Sequence, residues 1–388
     1  MTKQKIIFVF PSYPDVMYSF LLRYAEKSEA EISIIYFKKI LKEREELYRG
    51  NELSKYVKLI HIAPDDLKKV FAPLFEQNKD AFFVFGGFTG DVGRALKLYN
   101  SCLGKKAIVI TEKPSVRPTK IFDRVIRLLK KCKTRFFYGK AYYDVKDAVR
   151  AVLVTGEKGV KQLKRCGIPE EKLFNFMYTH IDENVLPKEK KVSEKIKFVY
   201  VGRFNYLYRG IDSLMYSFDK LKRDDWSLDL VGGYGEDAEE IIDWANSRKN
   251  VRYIGSWESN KVISCLQDYD ICISPTRIDG WRIQVNQAIV AGIGTITTEE
   301  AISDELIKES NTGIVVDAFD KKQLLKTINY VLDNKDIVSI WKHNTLKYRD
   351  CITNDRISSY FQDILEFCGI DSDRILKERP RCPWINRM

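Results

Sequence analysis

Short apolar runs alternate with amphipathic stretches along this 388-residue chain, stop once, and then begin again. In the first half the runs are Ile6–Phe10, Ile32–Phe37, Phe82–Phe85, Ala107–Ile110 and Ala151–Val154, with helical patterns such as Met17–Lys27 and Val92–Cys102 between them. Strands apolar on both faces belong to a parallel sheet covered by helices. The polar stretch Pro187-Lys188-Glu189-Lys190-Lys191-Val192-Ser193-Glu194-Lys195 breaks the pattern and reads as a domain boundary. The alternation then restarts. It predicts strands at Ile196–Val201, Ser227–Val231, Val251–Ile254, Ile271–Ser274, Gly294–Thr297 and Gly313–Val316, and helices at Ile211–Lys222, Asp237–Ser247 and Lys321–Asp333. The expected fold is α/β, two Rossmann-like doubly wound domains facing a cleft, because the chain is too long for one ordinary core. Residues 1–186 form the first domain and 187–352 the second. Residues 353–388 form a tail, helical at Ile357–Phe367, with the first domain as its candidate docking surface.

Composition narrows the class. An apolar content of 45% and a charged content of 31% suit a globular protein. No apolar run reaches about 18 residues, and Ile6–Phe10 is too short for a signal-peptide core, so a cytoplasmic protein is expected. Eight scattered cysteines without C-x-x-C spacing, and three histidines, argue against a zinc site or a disulfide framework. The net charge of +11 is uneven. Residues 1–190 carry 37 basic and 23 acidic side chains, residues 191–388 carry 28 and 31, and residues 101–150 alone carry 14 and 4. A basic surface on one half attracts anionic lipid, a pyrophosphate-linked acceptor or nucleic acid. No nucleic-acid recognition motif is present, and no nucleic-acid partner is expected.

Within that basic region Ile121, Phe122, Val125, Ile126, Leu129 and Cys132 recur at helical spacing among Lys120, Arg124, Arg127, Lys130, Lys131, Lys133 and Arg135. Such a helix either packs its apolar stripe on a core or lies on an anionic bilayer, and the core reading is preferred. Lys113, Arg117, Arg127, Lys130 and Lys131 are candidates for the acceptor or membrane side, which would place the protein peripherally at the inner face of the membrane. Phe136-Phe137-Tyr138 and Tyr142-Tyr143 read first as core and second as a surface for stacking sugars.

Three segments of the second half carry chemistry. In Thr276-Arg277-Ile278-Asp279-Gly280-Trp281-Arg282-Ile283-Gln284-Val285-Asn286-Gln287, a buried strand feeds a loop and then a helix. A helix start offers N–H groups and a positive dipole end to a diphosphate, and Arg282 adds charge beside it. Gln287 lies eight residues after Asp279, about 12 Å along a helix, so the two could grip opposite ends of a nucleotide-sugar. The same residues also read as a capping acid and a solvated glutamine. In Gly202-Arg203-Phe204-Asn205-Tyr206-Leu207-Tyr208-Arg209-Gly210, a strand ends at a glycine followed by two arginines, either forks for phosphate oxygens or plain surface groups. Gly232-Gly233-Tyr234-Gly235 is a weaker phosphate signal, equally a tight turn.

In order, "VGRFNYLYRGIDSL", "LDLVGGYGEDAEEI", "VRYIGSW", "YDICISPTRIDGWRIQVNQAIVAGIGTITT" and "NTGIVV" resemble the GT4 family of retaining glycosyltransferases over about residues 196–335, and more loosely from 151. The resemblance implies a GT-B fold, with the nucleoside-diphosphate sugar donor in the second domain, the acceptor mainly on the first, and no metal or other cofactor. Arg203 and Arg209 match the family's diphosphate-holding basic pair, while Asp279 and Gln287 fall on its E-x7-E pair, facing the transferred sugar and the ribose respectively. Arg203, Arg209 and Asp279 are therefore the candidate catalytic group. Gly202, Gly280, Trp281, Arg282, Ile283 and Gln287 complete the donor site. The chain departs from the family pattern in carrying Asp and Gln for the two glutamates, and in an Arg203–Arg209 spacing one residue longer. It also has Arg282 and Ala301-Ile302 at glycine positions, and no histidine between residues 62 and 179. The resemblance implies sugar transfer to a glycan or lipid-linked acceptor, in surface polysaccharide biosynthesis. The alternatives are a non-catalytic protein of the same fold that binds a sugar nucleotide as sensor or partner subunit, and a sugar-nucleotide epimerase.

Overall fold

The computed structural model describes residues 4–39, 52–63, 67–104, 106–115, 124–182, 185–188, 194–369 and 377–385. The predicted boundary at 187–195 thus lies partly outside the described residues. Two sheets form. The first runs in the order β3 (Val57–His61), β2 (Glu31–Tyr36), β1 (Lys5–Phe10), β4 (Phe82–Phe85), β5 (Ala107–Thr111), β6 (Val149–Thr155), β7 (Leu173–Phe176). The second runs β10 (Val251–Gly255), β9 (Trp226–Gly232), β8 (Ile196–Gly202), β11 (Ile271–Ser274), β12 (Gly294–Thr298), β13 (Gly313–Val316). Neighbouring strands pair in parallel throughout both sheets. The fold is the expected α/β arrangement of two doubly wound units.

Every predicted strand is present. Two further ones, β3 and β7, lie at the edges of the first sheet. β3 is only partly buried and β7 is four residues long, so neither makes a continuous apolar run. Central strands such as β5, by contrast, are buried at every position because helices cover both faces. Each sheet winds outward from an inner pair in opposite directions, reversing between β1 and β4 and between β8 and β11. Ligands of such sheets bind where the order reverses, outside the carboxyl ends of the strands.

The tail returns to the first domain. Helix Asn354–Phe367 packs on helix Tyr18–Lys27, where the Phe361 ring lies 5.0 Å from Tyr24 and 5.3 Å from Phe20. Arg23 Nη2 pairs with Asp355 at 2.8 Å, and Thr353 Oγ1 caps the helix by accepting from the Arg356 N–H at 3.2 Å. Farther on, Trp384 is fully buried. The chain therefore passes between the domains twice, once before β8 and once through the tail. Among the described residues no helix is long and apolar enough to cross a membrane.

Candidate functional site

The reversal between β8 and β11 brings together the two segments singled out by sequence. β8 ends at Gly202 with φ +148°, and a Cβ there would meet the Arg282 guanidinium at 2.8 Å. Only glycine permits both that backbone and that approach. Arg203 follows, half-buried, its guanidinium 5.5 Å from the Tyr234 ring centre in a cation–π contact. That gives the Gly-rich turn after β9 a role in holding an arginine. Asn205 Oδ1 caps the next short helix, Tyr206–Arg209, by accepting from the Tyr208 N–H at 2.8 Å. Arg209 closes that helix and donates to Asp279 Oδ2, and to Thr276 Oγ1 at 3.3 Å.

Asp279 sits in the loop before helix Ile283–Ala291, with Oδ1 accepting from the Gly280 N–H at 2.9 Å. Burial works most strongly against the Arg209 charge, but Asp279, Tyr200 and Tyr234 together outweigh it and hold the guanidinium above its ordinary value. Arg209 and Asp279 thus form one ionised pair in the crevice, each still partly open to solvent.

Arg282, expected as a fixed charge beside a diphosphate, lies beneath the crevice. It is 3% exposed, donating from Nε to Ser274 Oγ and from Nη2 to Val201 O, both at 2.7 Å. Burial, then the nearby Arg209, pull its basicity down. Arg282 ties β8 to β11 beneath the site and supplies positive potential from below. Its own N–H goes to Ala301 O, and Ser303 Oγ donates to Arg282 O, both at 2.9 Å. This leaves Ile283 and Gln284 to begin the first turn of the helix. Trp281 is buried and donates from Nε1 to Asn286 Oδ1 at 2.9 Å, bracing the loop.

Gln287 faces the segment that crosses between the domains. Its Nε2 donates to His180 O at 3.0 Å, while Oε1 is buried without a hydrogen-bond partner. A buried carbonyl oxygen left in this way costs about 1–3 kcal/mol until a donor reaches it. The amide therefore has one acceptor to offer a hydroxyl, where a glutamate would have two charged oxygens.

On the acceptor side, Lys113 Nζ pairs with Glu300 Oε2 of the second domain at 3.1 Å, so it bridges the domains instead of standing open. Arg117 lies outside the described residues, as do the side chains of Arg127 and Lys131; Lys130 is half-buried on helix Arg124–Tyr143. Of the apolar stripe read as core, Ile121, Phe122 and the side chains of Val125 and Ile126 lie outside the described residues, and the core reading is corrected at Leu129, Cys132, Phe136, Phe137 and Tyr143. Leu129, Phe136, Phe137 and Tyr143 are 56–75% exposed and Cys132 is exposed, while Tyr142 is buried. Sequence reasoning gave no role to Glu112, which follows β5 and reaches the loop at Gly280. The signal was its place just beyond a buried strand, at the carboxyl end where such sheets carry function.

Comparison with known proteins adds to this geometry. Residues 182–348 match the family model "Glycosyl transferases group 1". The chain is similar, at 23% identity over 73% of its length and 78% of the relative's, to an uncharacterized 41.2 kDa protein in the cps region of Klebsiella pneumoniae. Among solved structures it resembles Alr3699/HepE of Anabaena in complex with UDP and glucose, with a TM-score of 0.70 and 9% identity over 93% of this chain and 99% of that one. It also resembles the lipopolysaccharide outer core galactosyltransferase WaaB, with a TM-score of 0.66 and 12% identity over the same shares. At such identities these two likenesses speak for the fold alone. The family match covers the β8–β11 crevice with its two arginines, its acid and its helix start. Residues 182–348 thus match the glycosyl transferases group 1 model across this crevice, and the chain is a glycosyltransferase.

Proposed function

We propose that this glycosyltransferase binds a nucleoside-diphosphate sugar in the β8–β11 crevice and passes the sugar to a glycan or lipid-linked acceptor held against the first domain, in the building of a surface polysaccharide. The observation that carries the reading is the pairing of Arg209 with Asp279 in the loop before helix Ile283–Ala291, with Arg203 standing just beyond the end of β8 against Tyr234. Two guanidinium groups beside a helix N-terminus suit a diphosphate leaving group, whose developing charge they stabilise. Asp279 orients the sugar and Gln287 Oε1 accepts from a ribose hydroxyl. Retention of the anomeric configuration, without a metal, follows from the family resemblance. Further support comes from a solved relative holding UDP and glucose, and from relatives named for a cps region and for the lipopolysaccharide outer core.

Calorimetric titration of the purified chain with UDP- and GDP-sugars tests the donor site. One donor is expected to bind saturably, and Arg203→Ala to weaken it at least about tenfold, since a charge-assisted contact contributes about 1.5–3 kcal/mol. Binding without turnover would favour the non-catalytic alternative, and conversion of donor without acceptor the epimerase. Titrations flat for every donor would remove the reading.

A further inference from the structure

Glu112 is held at the end of β5 by its neighbour. The Lys113 N–H donates to Thr155 Oγ1 at 3.1 Å, and Lys113 Nζ reaches Glu300 across the cleft. So anchored, the Glu112 carboxyl lies on the second domain's Gly280. A Cβ at position 280 would overlap all three carboxyl atoms, the farthest only 2.6 Å away. The ionisable groups facing it come from four elements. They are Arg209 from the short helix after β8, Asp279 from the loop before Ile283, Tyr138 from helix Arg124–Tyr143, and Tyr178 from the crossing segment.

We propose that Glu112 is the acceptor-side base of the transfer, taking the proton of the attacking hydroxyl. The inference rests on the donor reading above. Asp279 faces the transferred sugar in that reading, Gly280 is the next residue, and Glu112 meets the same point from the opposite domain. That is the side from which an acceptor arrives. In the step, the acceptor oxygen forms its bond to the anomeric carbon on the face from which the diphosphate leaves, while the bond from that carbon to the diphosphate oxygen breaks, so the configuration is retained. The electron pair of the broken bond leaves with the nucleoside diphosphate. The hydroxyl proton passes to the Glu112 carboxylate and then to solvent. The family resemblance implies a histidine in the first domain that this chain lacks, and Glu112 is a carboxyl of that domain lying against Gly280.

Its surroundings suit the task. Glu112 is exposed as a residue while its carboxyl packs on Gly280, and desolvation of that carboxyl, then Asp279, push it up to about 7 against the pull of Arg209. A base poised near neutrality combines a usable ionised fraction with proton affinity.

The experiment uses UDP-glucose, UDP-galactose and GDP-mannose as probes. It follows nucleoside diphosphate release with water as acceptor, alongside donor binding by calorimetry and melting curves for each variant. The wild type is expected to release faster as pH rises through about 7, because the ionised carboxylate is the active form. Glu112→Gln should melt like the wild type and bind donor within threefold. It should release about 100-fold more slowly, with that pH limb gone, and Glu112→Asp should recover part of the rate. The proposal is overturned if Glu112→Gln keeps the rate and the limb. Donor binding without any release by the wild type also overturns it, since water is the smallest acceptor such a base could serve. If no donor binds the wild type, the donor reading itself fails and takes this inference with it.

Discussion

Ile302 shows how one residue keeps a family's backbone without its usual side chain. Where the resemblance leads one to expect a glycine pair, this chain has Ala301-Ile302, yet Ile302 adopts φ +65°, ψ −40°. For a β-branched residue that conformation costs about 1–3 kcal/mol and persists only where the surroundings impose it. Here Arg282 N–H holds Ala301 O, and the Ile302 side chain is buried against Gly156 of the first domain. Truncation normally favours alanine over glycine, and this site should reverse the order. Ile302→Gly loses the packing but relieves the backbone, whereas Ile302→Ala loses the packing and keeps the strain. We expect the glycine variant to be the more stable by about 1 kcal/mol in urea titrations, and an alanine variant that is the more stable would contradict the account. No reading of single residues finds such a feature, because positive φ at an isoleucine is imposed by contacts distant in sequence. The placement of Arg203, Arg209 and Asp279 just beyond β8 and β11 was legible because each stands at a fixed distance from a strand end. Arg282 and Gln287 were legible in their place on the loop and helix after β11, but not in their burial or in what they bond. Those depend on the approach of β8 and of the crossing segment, which spacing along the chain does not encode.

At the scale of an element, helix Arg124–Tyr143 asks why apolar side chains face water. Leu129, Lys133, Phe136, Lys140 and Tyr143 follow one another at steps of four and three residues, so they share one face. Leu129, Phe136 and Tyr143 are 64%, 75% and 67% exposed. The inner face is fixed by Gly139, where a Cβ would lie 2.6 Å from Cys166 O, and by buried Ala141 and Tyr142. Rings and lysines interleaved on one outward face suit an anionic bilayer, with rings at the acyl boundary and ammonium groups at the headgroups. The protein is expected to sediment with phosphatidylglycerol vesicles and not with phosphatidylcholine ones. Phe136→Ser with Phe137→Ser should weaken this about tenfold, since even partial burial of two rings contributes more than 1 kcal/mol. Sedimentation unchanged by the double variant would mean that this face does not meet lipid. The apolar runs announced the inner strands of both sheets because burial on both faces leaves no other composition. They say less about this helix, because a stripe at helical spacing has the same pattern whether it meets a core or faces outward, as Leu129 does.

In the whole molecule, the site is made by two domains whose closure depends on a few groups crossing between them. Glu305 is one of these. Its Oε2 accepts from the Glu157 N–H of the first domain at 2.7 Å, and its Oε1 from Asn175 Nδ2 at 3.0 Å and from Trp384 Nε1 of the tail at 2.8 Å. One carboxyl thus binds the second domain to the first and to the returning tail. Lys158 supports the same seam through Asp304 at 3.0 Å. Removing the carboxyl leaves three buried or half-buried donors without their acceptor, each costing about 1–3 kcal/mol. Glu305→Ala should therefore lose about 3 kcal/mol of stability and free the tail to proteolysis at Arg379 or Arg381, with Glu305→Gln intermediate. The pH dependence carries a sign. Desolvation raises this carboxyl above its ordinary 4.5, although its three hydrogen bonds pull the other way. The folded chain then holds the proton more tightly than the unfolded chain, so Glu305 lowers stability as pH rises from that value through the folded one. Glu305→Gln cannot ionise and should lack that decline. Denaturant titrations of wild type and Glu305→Gln across that range would read the difference, and parallel curves would show that Glu305 is not the titrating group.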